Sequence, residues 1–271
     1  MIKLLRLPFL LGAAFLFIAA VSPTDAYSEI KVAIIDTGFC PEKLVKIKKN
    51  ITIQSQIDFT RHKKWDCSKI SKKVLNSSPR FHGHKVLLEF LKFAPKGEKI
   101  TVKPMVVFDL KGEQSKEAWI KAIKYVEKGN FDFVLSASGF VTKEKFIDEL
   151  PGIWFVPSGR IERSIKKNTV LFPQSLAPQV NLYLIGDYHD GRETFYDQSL
   201  LFQNVIDYYF PVGKGLFKGT SRAVAEAFGI ALRSCYKAKE LSPPHAMRLC
   251  LLKKSKNLRD PVLKIDFKTY Q

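Results

Sequence analysis

Three short stretches of this chain hold residue types that together could open an acyl bond. Asp36 closes the apolar run "KVAIID" and leads into a glycine turn, Asp36-Thr37-Gly38. His82 begins "HGHKV", beside a glycine that permits close approach, and Ser221 lies in "GTSRAVAEAFG", where a Gly-Thr-Ser turn runs into small and apolar residues. A serine hydroxyl becomes a nucleophile when an imidazole takes its proton, and a carboxylate behind that imidazole fixes its tautomer. At a helix start the serine's own N–H lies outside the helical ladder, with the positive end of the helix dipole behind it. Both features favour a developing oxyanion. Taken singly, each residue also has an ordinary role: a turn aspartate, a polar histidine at a helix start, and a serine N-cap.

The elements around these residues alternate. "KVAIID" (31–36) is a continuous apolar run, as expected of a parallel strand buried on both faces. Residues 82–93 carry apolar side chains at helical spacing, 100–109 read as a strand, and 115–129 read as an amphipathic helix ending at a glycine. Three further strands end near Ser138, Ser158 and Asp187, "NVIDYYFPVGKG" supplies another, and a long helix starts at Thr220. The order predicts an α/β three-layer domain, a mainly parallel twisted sheet with helices on both faces. Functional residues of such sheets collect at the carboxyl ends of the strands, where Asp36 and the segments 136–140 and 157–160 fall.

In the order Asp, His, Ser, these flanks resemble the signatures of the subtilisin-like serine proteases. The family has Asp-Thr/Ser-Gly after an apolar strand, His-Gly-Thr-x-Val, and Gly-Thr-Ser-x-Ala-x-Pro with a later glycine. Here they read Asp36-Thr37-Gly38, His82-Gly83-His84-Lys85-Val86, and Gly219-Thr220-Ser221-Arg222-Ala223-Val224-Ala225 with Gly229. "VKPMVVFDLKG", the helix after it and "FPQSLAPQVNLYLIG" extend the likeness, so that it spans roughly Lys31 to Leu232.

The resemblance implies an endopeptidase triad of Asp36, His82 and Ser221 acting on a peptide or protein substrate. It implies that Ser136, Ser138 and Gly139 on one side, and Ser158 and Gly159 on the other, line the pocket for the residue before the cut. The family's second oxyanion donor, an asparagine, is replaced by Arg160 in "PSGR", and losing such a donor costs on the order of 10²–10³ in turnover. His84 and Lys85 also depart from the pattern, and Ala225 stands where the family has proline. Aspartic proteases share Asp-Thr-Gly but need two copies on a mostly antiparallel fold, and this chain has one copy. His82 and His84 form a His-x-His pair, but two ligands do not complete a metal site, and neither metal nor cofactor is expected. The alternative function is a catalytically silent domain of the same fold that binds peptides or an envelope partner. An unrelated exported ligand-binding protein of α/β class is a third reading.

Residues 1–26 have a basic start, an apolar run from Phe9 to Val21 and the small residues Thr24 and Ala26 before the expected cut, the layout of a secretory signal. The expected mature domain is 27–271, a monomer without a membrane span, periplasmic or extracellular. Nine residues separate the expected cut from Asp36, which leaves no room for a propeptide. The chain carries +18, of which the leader holds +1, and the lysines are scattered without a nucleic-acid-binding motif. That charge suits an acidic envelope surface rather than specific nucleic-acid binding. Cys40, Cys67, Cys235 and Cys250 are even in number, as in exported disulfide proteins. Neighbours in sequence suggest Cys40–Cys67 and Cys235–Cys250, one of three connectivities.

Overall fold

The computed structural model describes residues 29–44, 47–60, 66–109, 111–143, 145–158, 170–188, 206–211, 213, 215, 217–236, 244–256 and 266–267. The expected leader, Gly159 and Arg160 lie outside the described residues. The central strand β1 (Ile30–Asp36) is flanked by β4 (Ile100–Val106) and β5 (Phe133–Ser136), both parallel to it. From β5 the sheet continues in parallel through β7 (Ile153–Pro157), β9 (Leu182–Tyr188) and β10 (Tyr208–Pro211). The short strands β11 (Ser255–Lys256) and β12 (Asp266–Phe267) extend that edge, β12 parallel to β10 and β11 antiparallel to β12.

On the other side, β2 (Ile51–Ile53) and β3 (Ile57–Asp58) share β4 as their neighbour. They pair with Ile100–Val102 and Met105–Val106, so the break between them faces Pro104, a residue with no N–H to give. Strand β4 ends at Val106, three residues before the expected Asp109: the Val107 N–H gives the last ladder bond, to the Asp36 carbonyl, and Asp109 then closes a turn on Gly112 and Glu113. A separate antiparallel pair joins β6 (Phe140–Thr142) to β8 (Val170–Phe172).

Alternation along β1 decides the layers. Ile30, Val32 and Ile34 face one core, shared with α2 (His82–Phe93), which the short α1 (Lys72–Ser77) precedes, α4 (Thr220–Cys235) and α5 (Pro244–Lys254). Ala33 and Ile35 face the other, filled by the stripe Ala118, Trp119, Ala122, Ile123 and Val126 of α3 (Lys116–Lys128). The helices therefore cover both faces. Helix α3 starts at a Ser115 cap whose hydroxyl accepts the Ala118 N–H, and Glu117 in its first turn suits the dipole. Helix α4 is buried almost all round because it is wedged between the sheet, α2 and α5. Gly229 lets α2 come close: a Cβ there would lie 2.7 Å from Phe93 Cβ and 3.2 Å from the Phe90 carbonyl oxygen.

Two disulfides join Cys40 to Cys67 and Cys235 to Cys250, each with Cα atoms 5.6 Å apart. The second ties α5 to the end of α4. Arg248 of α5 then anchors to the sheet edge, donating to the carbonyls of Gln179, Val180 and Leu182, pairing with Asp207, and lying 4.3 Å above the Tyr183 ring. Among the described residues no helix is long and apolar enough to cross a membrane.

Candidate active site

Asp36 is the last residue of β1 and is fully buried. Its carboxylate accepts the Thr37 N–H at 2.7 Å and faces His82 Nδ1, with Oδ1 at 2.8 Å and Oδ2 at 3.0 Å. An ionised carboxylate accepts only, so Nδ1 donates and Nε2 is left as the ring's basic atom. The imidazole is a quarter exposed, and the edge of its ring meets Phe217 at 5.6 Å between centroids.

The local sequence explains this approach. A three-residue turn, Pro79–Phe81, delivers His82 as the first residue of α2. Thr37 Oγ1 accepts the Gly83 N–H at 3.0 Å, satisfying a donor that the helix start leaves open, and Gly38 N–H bonds the Arg80 carbonyl. Gly83 is required, since a Cβ on it would lie 2.6 Å from the buried Phe39 ring and 2.8 Å from the Thr37 carbonyl. Asp36 and Thr37 thus bond the start of α2, and Gly38 bonds the turn that leads into it. Lys85, one turn on, has its pKa lowered by burial while the Asp36 charge works the other way.

Ser221 is the second residue of α4, not its cap. The cap position belongs to Gly219, whose φ of +86° and ψ of −168° suit glycine, and whose carbonyl accepts the N–H groups of Arg222 and Ala223. The Ser221 hydroxyl is turned out of its helix and donates to the Ala137 carbonyl at 3.1 Å. Its N–H, in the first turn, is outside the helical ladder. This bond brings Ser221 against the end of β5, and so against the 136–139 segment.

Around that segment, Ser136 is buried with its hydroxyl 3.4 Å from the Ser138 carbonyl. The Gly139 carbonyl accepts from Gln114 Nε2 at 2.7 Å, and Gln114 in turn accepts from Trp119. Ser158, buried past the end of β7, donates its N–H to the Ile185 carbonyl. Gln174 spans the two expected walls: Nε2 donates to the Pro157 carbonyl at 3.0 Å and approaches the Ser138 carbonyl at 3.5 Å. Gln114, Gln174 and Phe217 carry no motif that marks them in the sequence; only the fold reveals them.

Behind the serine lies a buried ionic network. Arg222 Nε is 3.0 Å from Glu89 Oε1 on α2, Arg222 NH1 is 2.7 Å from Glu226 Oε2, and Lys92 pairs with the other Glu89 oxygen. Arg222 also donates to the Pro211 carbonyl and underlies Gly213. Burial raises the Glu226 pKa, and the Arg222 charge opposes that shift. His84 and His82 do not converge on one ligand, because positions two apart on a helix point about 200° from each other.

No family model matches the chain, and no curated protein matches its sequence. Solved structures do. A lanthipeptide protease matches with a TM-score of 0.64 at 16% identity, over 89% of this chain and 86% of its own. The chain has the subtilisin-like fold. A Ser-to-Ala mutant of the protease domain of PatA matches with a TM-score of 0.58 at 13% identity, over 88% of this chain and 92% of its own. A cold-adapted subtilisin-like serine proteinase follows, with a TM-score of 0.53 at 11% identity and 89% of each chain covered. The subtilisin-like fold accounts for the three layers and the mainly parallel sheet.

Proposed function

We propose that this chain is an exported serine endopeptidase. The observation that carries the reading is the buried Asp36 carboxylate bonded to His82 Nδ1, at the end of the sheet where Ser221 opens α4. Ser221 Oγ attacks the scissile carbonyl carbon while His82 Nε2 takes its proton, and the carbonyl π pair moves onto the oxygen. As that pair returns, the C–N bond breaks and the imidazolium protonates the leaving amine. Asp36 keeps the ring in the productive tautomer and stabilises its charged form. Water activated by the same imidazole then releases the acid and restores the serine. The Ser221 N–H gives one oxyanion bond, and Arg160, in place of the family's second donor, makes the activity weak or altered. The two disulfides support an oxidising compartment, in line with the leader expected over 1–26.

A fluorophosphonate tests the chemistry. The folded, disulfide-bonded protein should be labelled, and Ser221→Ala should lose the label. One observation favours the second reading, a silent binding domain: the Ser221 hydroxyl is donated to the Ala137 carbonyl. A folded sample that takes no label supports that reading and removes the enzyme.

A further inference from the structure

A cavity of about 760 Å³ lies on the flank of α2 turned away from Asp36 and takes no part in the reaction above. Its volume falls in the range of ligand pockets, roughly 300–1,000 Å³. His84 and Leu88, one turn apart on α2, form one wall, while Ile70 and the buried Leu75 add apolar surface. The exposed side chains of Lys43, Lys69 and Lys72 stand at its solvent side; Lys69 also pairs with Asp66 at 3.3 Å, and no acidic residue lines the cavity itself among the described residues. The Cys40–Cys67 disulfide packs with Leu75 and Phe81 beside it, so this wall is fixed before anything binds.

His84 supplies the second observation. It is 3% exposed, it lines the cavity, and its Nδ1 is buried without a hydrogen-bond partner. Such an atom costs on the order of 1–3 kcal/mol unless something pairs with it. Burial lowers the His84 pKa, with the Glu42 charge working the other way, which favours the neutral ring and a hydrogen bond.

We propose that this cavity docks an acidic peptide segment, with an apolar side chain against Ile70, Leu75 and Leu88, neighbouring carboxylates on Lys43, Lys69 and Lys72, and a polar group at His84 Nδ1. Charge complementarity and the recessed shape favour this occupant, since an anionic bilayer would meet the lysines but leave the recess empty. The docking site goes beyond the acyl-transfer reading and does not require Ser221 to react.

The test uses the disulfide-bonded chain carrying Ser221→Ala, so that nothing is cleaved. A labelled peptide alternating Asp or Glu with Leu or Phe is titrated by fluorescence anisotropy, beside a matched peptide with Lys at the acidic positions. The acidic peptide should bind saturably and the basic one should not. Lys69→Glu with Lys72→Glu should weaken binding on the order of tenfold, summing two reversed rim charges. Lys124→Glu with Lys128→Glu, an equal change on exposed positions of α3 across the sheet, should leave binding unchanged. The proposal is overturned if the acidic peptide does not bind, or if both double variants weaken it alike, which would make the effect bulk charge. It is overturned equally if phosphatidylglycerol vesicles bind through Lys69 and Lys72 while the peptide fails to displace them.

Discussion

Replacing Arg222 by methionine would leave Glu89 and Glu226 facing each other with no cation between them except Lys92 on the far side of Glu89. Both carboxylates are almost wholly buried, 4% and 3% exposed, and the guanidinium is 17% exposed, so solvent screens the network little. Removing one partner from a buried ionic cluster costs roughly 3–5 kcal/mol. That is a large part of the total stability of a single domain, about 5–15 kcal/mol. The deficit should depend on pH with a definite sign. Glu226 already has a raised pKa in the folded state, and removing Arg222 takes away the charge that opposes the rise. The folded variant then holds a proton that the unfolded chain releases, so its stability falls as pH rises from the unfolded value toward the folded one. The deficit should therefore shrink as pH falls from about 7 to 5. Urea unfolding of Arg222→Met and the parent at both pH values measures this, and Arg222→Met with Glu226→Gln should recover part of the loss at pH 7. A cost below about 1 kcal/mol, or a deficit independent of pH, would refute the buried-network account.

Asp36→Asn should keep the fold yet slow fluorophosphonate labelling by about 10⁴-fold, since the amide can hold the wrong tautomer of His82. Gly83→Ala places a Cβ 2.6 Å from the Phe39 ring and 2.8 Å from the Thr37 carbonyl. It should cost about 1–3 kcal/mol by thermal unfolding and slow labelling as α2 shifts from Asp36. Cys235→Ser with Cys250→Ser opens a loop of sequence separation 15. It should lower stability in denaturant by about 3 kcal/mol and release α5 first in hydrogen exchange.

Elements with a long buried run or a full helical stripe could be read directly. Strand β1, helices α2 and α3 and the start of α4 fall within a residue or so of their expected limits, because "KVAIID" and the apolar spacing of 82–93 leave no other element. Strands β2 and β3 escaped because three and two residues show no period, and they exist by pairing with β4 on either side of Pro104. Helix α5 escaped because its apolar residues make no stripe, Leu249 and Leu252 being exposed, and the disulfide and Arg248 hold it in place. Asp36, His82 and Ser221 could be singled out by their flanks. The role of Ser221 as a cap, however, passed to Gly219, a residue whose backbone angles no side chain announces. Gln174 was invisible for a different reason: its two acceptors come from β7 and the segment after β5, which only the folded sheet brings together.

Asp36, Thr37 and Gly83 are bonded into one body, which carries the imidazole, while Ser221 rides on a second body, α4. The line between them is the α2–α4 seam, crossed by Arg222 and pressed close at Gly229. The distance between Ser221 and His82 is therefore set by how α2 packs on α4. On the proposed triad, substitutions along the seam would act as a dial on that distance while leaving the Asp36–His82 bond in place.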